Sequence, residues 1–207
     1  DAFLQKRQNS PFAPGAMLMI ADSLLSRKEW TAAAEAYARF LSSFPRHERE
    51  LDARAGLASA CRALGLHAAA AETLSAFLAA QPAHADIDEL VLATAGDHLM
   101  AGQATQAIRL LDRVVAPQGS RTWTRSRILR CKALIYLGQH VEAAADLEKI
   151  RKTMPEGAER DDVSRLLSDC YSKSGRLADA ALALLDQKPA AAPENKEATP
   201  DGKQTNP

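Results

Sequence analysis

With 207 residues, of which 46% are hydrophobic and 25% charged, the chain is long enough to bury a sizeable core and polar enough to stay in water. Lys plus Arg number 26 and so do Asp plus Glu; a balanced total gives no general pull toward nucleic acid or an anionic membrane, and no run of 18 apolar residues is present to span a bilayer. Aromatics are only 5% while Ala is abundant, a composition that lets helices form and approach closely and that predicts an all-α fold.

Taken from the N-terminus, residues 1–13 read as the end of a preceding helical hairpin and its linker. Phe3 stands 37 residues before Phe40, and Gln8 stands 37 before Pro45. The segment lacks the basic region and apolar core of a signal peptide. From 14 to 187 the sequence repeats, and helix pairs are predicted at 14–27 and 30–44, 48–64 and 67–80, 86–101 and 104–116, 121–137 and 140–153, and 158–174 and 177–187, with no strand anywhere.

The register rests on five anchor alanines, Ala33, Ala70, Ala107, Ala143 and Ala180, at intervals of 37, 37, 36 and 37 residues. Five residues before each anchor stands a turn residue, Lys28, Gly65, Gly102, Gly138 or Gly175; Gly there ends a helix cheaply, since it accepts the left-handed backbone of the cap. Twelve before it is a small side chain: Ala21, Ala58, Ala95, Cys131 or Ser168. Four after it is a large one: Tyr37, Leu74, Leu111, Leu147 or Leu184. Phe40, Phe77, Val114 and Ile150 follow seven after, and the pattern fails at Gln187. Pro45, Pro82 and Pro155 close three units. Small slots facing one another across a hairpin and large ones between hairpins are a packing code for stacked helix pairs. Residues 188–207, rich in Pro, Ala and charge without apolar periodicity, are predicted to be a flexible tail.

The segments 23–45 (SLLSRKEWTAAAEAYARFLSSFP) and 136–155 (YLGQHVEAAADLEKIRKTMP) make residues 14–187 resemble the tetratricopeptide-repeat family. The resemblance implies a right-handed α-solenoid of about five hairpins. Unit 3 departs from it in ending with Gly119 rather than Pro, and unit 5 decays before its closing Pro. The 37-residue period, longer than the family's usual 34, together with NSPFAP at residues 9–14, resembles bacterial envelope members: the Tol-Pal-associated periplasmic coordinator and the outer-membrane-protein assembly lipoprotein. That resemblance implies a periplasmic location. Three cysteines without a CxxC pair favour a reducing compartment instead, so the cytoplasm stays open.

Repeat slots account for the residues that invite a chemical reading. His67 and His140 occupy the slot of Trp30 at the start of the second helix, His98 sits in a packing slot, and His47 and His84 fall in turns. No metal-ligand spacing links them, and neither metal nor cofactor is expected. Cys61, Cys131 and Cys170 read as buried free thiols, with a disulfide between Cys131 and Cys170 the less favoured alternative. There is no phosphate loop, nucleophile elbow or paired carboxylate, so no enzyme is expected.

First helices of such hairpins line the concave surface. Residues fifteen and eight before the anchors place Leu18, Leu25, Leu92, Leu99, Ile128 and Ile135 there, with Arg125 and Lys132 as a basic flank; unit 2 offers Ala55 and Arg62, and unit 5 Arg165 and Ser172. These apolar residues either pack between first helices or form a groove for a partner helix or peptide. The positions where the family's carboxylate clamp needs Asn carry Asp22, Ser59, Gly96, Lys132 and Asp169, so that clamp is absent. Arg121, Arg125, Arg127, Arg130 and Lys132 form a basic run, expected to pair with Glu156, Glu159, Asp161 and Asp162 on the next hairpin or to meet an acidic partner. Five charges on one helix do not make a nucleic-acid site. The leading reading is a protein-interaction scaffold working through its groove. The alternative is a structural segment of a larger assembly with no groove ligand, self-associating through its end repeats.

Overall fold

The computed structural model describes residues 10–80 and 87–185. Expectations for residues 1–9, for Pro82 and His84, and for the tail from 188 fall outside those residues. Among the described residues there are ten helices and no strand: α1 (Ala13–Ser26), α2 (Trp30–Ser43), α3 (Glu50–Ala63), α4 (His67–Ala80), α5 (Ile87–Met100), α6 (Ala104–Leu111), α7 (Arg121–Tyr136), α8 (His140–Thr153), α9 (Ala158–Lys173) and α10 (Leu177–Leu185). They pair as five consecutive hairpins, each helix packing on its neighbours in sequence. This is an α-solenoid.

Every hairpin turns the same way. Lys28, Gly65, Gly102, Gly138 and Gly175 all have φ between 62° and 77°. At each, the residue's own N–H bonds the carbonyl three back, and the next N–H reaches five back, as in Glu29 N to Leu24 O at 3.0 Å and Gln103 N to His98 O at 2.7 Å. The paired bonds satisfy carbonyls that the helix end would leave orphaned. Of these five, Lys28 alone carries a Cβ in the left-handed conformation, a cost of about 1–2 kcal/mol against which Gly loses about 0.5–1 kcal/mol in unfolded-chain entropy. Lys28→Gly is therefore expected to raise stability by about 0.5–1 kcal/mol, read as a higher denaturant midpoint with unchanged slope. A lower midpoint would show that the Lys28 side chain contributes more than its backbone costs.

The anchor alanines and the small slots twelve residues before them are all buried. Tyr37, Leu74, Leu111 and Leu147 are buried too, each under the following hairpin. Leu184, in the same slot of the last hairpin, is 44% exposed, because no described helix covers it. Gly56 shows how tight one such crossing is: a Cβ there would lie 2.2 Å from the Tyr37 ring, whose hydroxyl donates to Asp22 Oδ1 at 2.6 Å.

One helix is shorter than its sequence predicts. α6 stops at Leu111, not 116. Arg113 and Val114 bond carbonyls three residues back, to Leu110 and Leu111, and Pro117 removes a donor while disfavouring helical backbone at residue 116. Val114 is consequently half-buried rather than core, and Val115 is exposed. The following helix starts afresh with a cap, the Ser120 hydroxyl accepting from Trp123 N at 3.2 Å.

First helices touch one another across hairpins, α1 with α3 and α5 with α7, whereas no two second helices make comparable contact. Successive rungs of a curved stack are closest on its inner side, so the first helices form the concave layer.

Candidate functional site

The eight residues expected on the concave face divide by depth. Leu18 is 0% exposed and Leu92 2%. Both are core, Leu18 beneath Tyr37 and Phe40 and Leu92 beside Ala107 and Leu111, and they have no surface left to grip a ligand. This corrects the expectation for those two: the first helices close over them. Leu25, Leu99, Ile128 and Ile135 are half-buried, packed on their local cores with one side left open. Arg125 and Lys132 are exposed.

Arg125, Ile128 and Lys132 come together. They line a cleft of about 440 Å³ between α7 and α9, the first helices of the last two described hairpins. Thr124 and Arg121 extend the α7 wall. The floor is Met154 and Pro155, where α8 ends. The opposite wall is α9, where Leu166 gives apolar surface beside the buried Val163 and Glu159 and Asp162 form an acidic rim. Leu18, Leu25, Leu92, Leu99 and Ile135 are not part of it.

The basic run on α7 does form ion pairs, with partners other than those the sequence pointed to. Arg125 Nη1 donates to both carboxylate oxygens of Glu89 on α5 at 2.8 Å. Arg130 reaches three acids: Asp112 at 3.2 Å, Glu142 at 2.9 Å and Asp146 at 2.7 Å. Asp162 pairs within its own helix, with Arg165 at 2.7 Å. Arg121, Lys132 and Glu159 have no ion-pair partner among the described residues, so the cleft keeps two free cations on one wall and one free anion on the other.

Arg62, the unit 2 candidate, is committed elsewhere. Its guanidinium clamps Asp97 with bonds of 2.7 and 2.8 Å, tying α3 to α5. His98 is equally occupied, with Nδ1 2.7 Å from Gln103 Oε1 and Nε2 3.2 Å from Ser75 Oγ. The three cysteines are free and buried, and burial pushes the Cys131 thiol up to about 12. Such thiols are inert packing groups.

Sequence reasoning missed the α9 half of the cleft. It compared only the slots fifteen and eight before each anchor, which in unit 5 hold Arg165 and Ser172. Leu166 and Val163 lie fourteen and seventeen before Ala180. It also missed Met100 and Tyr136, 69% and 65% exposed and seven before their anchors, at the ends of α5 and α7 beside Leu99 and Ile135. Their 36-residue spacing was the available signal.

A second cleft, of about 600 Å³, opens where α8, α9 and α10 meet. It is larger, yet much of its polar lining is already engaged: the Tyr171 hydroxyl donates to Glu148, and Arg176 lies 4.4 Å over the Tyr171 ring while pairing with Asp179 at 2.7 Å. Its rim ends at Leu185, the last described residue, so the α7–α9 cleft is the better-defined candidate.

No curated protein matches the sequence. Solved structures do match the fold: MamA from Desulfovibrio magneticus RS-1 (16% identity, 83% of this chain and 91% of that one, TM-score 0.66); the nearly identical TPR-like repeats of a putative kinesin light chain from Podospora anserina (21%, 82% and 90%, 0.65); and a tetratricopeptide repeat protein from Parabacteroides merdae (16%, 92% and 72%, 0.64). The tetratricopeptide repeat family itself matches residues 2–48 and 18–85. With five helical hairpins on one register continuing from that match to residue 185, the described chain has the fold of a tetratricopeptide-like α-solenoid.

Proposed function

We propose that the protein is a scaffold that holds a segment of another protein on its concave face, in the cleft between α7 and α9. Tetratricopeptide repeats are in general non-catalytic units of protein interaction and assembly. The observation that carries the finer reading is the convergence of Arg125, Ile128 and Lys132 on one open cleft with an apolar floor, facing unpaired charge on both walls. An apolar trough with a polar rim is the usual form of a peptide-binding groove.

A photo-crosslinking side chain placed at Lys132 is expected to capture a partner in the native cell, and the same group at Lys149, on a second helix, is not. Equal capture from both positions would move binding off the concave face. The reading as a structural segment is supported by a different observation: Met19 on α1 and Leu184 on α10, in slots that face a neighbouring hairpin elsewhere in the repeat, are 72% and 44% exposed. In that case Lys132 captures nothing, and crosslinks arise from position 19 or 184.

A further inference from the structure

The geometry points to the chemistry of the occupant: a partner segment that seats an apolar side chain between α7 and α9 and sets an Asp or Glu carboxylate against Arg121 and Lys132. This rests on reading the cleft as the binding site. Three observations carry it.

The apolar surface open to the cleft comes from Ile128 and Leu166, both half-buried, above a floor closed by the buried Met154 and Val163. An apolar side chain entering there gains by leaving water, whereas a polar one would lose its hydration without a partner.

The charge at the rim is unequal once existing pairs are removed. Arg125 is held by Glu89 and Asp162 by Arg165. What remains is Arg121 and Lys132 on α7 against Glu159 on α9. Two free cations outweigh one free anion, so an incoming carboxylate is attracted overall and turned toward α7.

The asymmetry also fixes a direction. A carboxylate set against α9 would meet Glu159, a like charge, so the acidic side chain of the partner lies on the α7 side of the apolar anchor. Glu159 then works against affinity and for orientation.

The test uses random dodecapeptides displayed on phage and selected on the full chain, with enriched sequences remade as free peptides for calorimetric titration. Enriched peptides are expected to place Asp or Glu within a few residues of Leu, Ile, Phe or Met, and their affinity to fall with added salt. Lys132→Glu is expected to weaken binding about tenfold or more, the loss of a charge-assisted contact made repulsive. Arg127→Glu, the same change on the same helix outside the cleft, leaves affinity within about twofold. Glu159→Gln strengthens binding, an effect that a merely structural role for Glu159 would not produce. Thr124→Trp, which fills the cleft from its rim, abolishes binding whatever the charges.

If Thr124→Trp blocks binding but the peptides show no acidic preference, or Lys132→Glu and Arg127→Glu behave alike, the carboxylate assignment is overturned while the cleft stands. If no peptide is enriched, or Thr124→Trp leaves binding intact, the cleft reading falls as well.

Discussion

Arg62→Leu is expected to lower stability by about 3–5 kcal/mol, the cost of leaving a buried charge without its partner. Asp97 retains only 5% of its side-chain exposure, and both its oxygens accept from one guanidinium, at 2.7 and 2.8 Å. Without Arg62 the carboxylate must either stay charged in a desolvated place or take up a proton. At about 2–4 °C per kcal/mol for a chain of this size, melting should fall by about 10 °C. The double variant Arg62→Leu, Asp97→Leu is expected to recover most of the loss, because removing both charges also removes the desolvation they required. A single variant that melts within about 2 °C of the parent would show that water reaches Asp97 and that the clamp is only a surface pair.

Gly56→Ala is expected to cost at least ~3 kcal/mol, at or beyond the upper end for overpacking, from the addition of one methyl group. The new Cβ would stand 2.2 Å from the Tyr37 ring, a separation no pair of carbon atoms tolerates. The ring cannot yield cheaply, since it is 1% exposed and its hydroxyl is bonded to Asp22. Tyr37→Leu is the predicted rescue, and the repeat explains why. At successive junctions, the residue four after the anchor and the one fourteen before the next anchor run Tyr37 with Gly56, Leu74 with Ala93, Leu111 with Leu129, and Leu147 with Leu166. The largest residue is matched to the smallest, so a Leu–Ala pair at the first junction copies the second. Thermal melts of Gly56→Ala alone and with Tyr37→Leu decide the matter: if the second change brings further loss, the two positions do not compensate.

Much of this architecture was legible because it depends on quantities that sequence carries directly. Four of the five left-handed turns follow from Gly at fixed distance from the anchors, and the alanine crossings from side-chain volume; the fifth, at Lys28, follows only from its place in the register. The helix bounds agree to within about two residues almost everywhere; α6 departs because Pro117 and the turn after Leu111 override its hydrophobic spacing. Depth was not legible. Leu18, Leu92 and Ile128 share one slot, yet the first two are core and the third lines a cleft. A slot fixes which face a residue is on, while its burial depends on how closely the neighbouring rung approaches. The ion pairs were half legible for the same reason: long Arg side chains on α7 found acids on α5, just past the end of α6 and on α8, nearer than those expected downstream.

The short α6 has a mechanical consequence. A solenoid behaves as a chain of elastic joints, each with an inner and an outer leaf. At the third joint the outer leaf is cut short, since α6 has 8 residues where the other second helices of the first four hairpins have 14. The inner leaf there is thick, for α5 and α7 meet directly and Arg125 bridges to Glu89. Bending is softest about such a joint, with the α5–α7 contact as its spine and the α6 side as its opening edge. Arg125 lies on the spine and on the rim of the cleft at once. Its surface ion pair holds the spine by only about 0–1 kcal/mol, so flexion of the stack and the shape of the cleft rim change together.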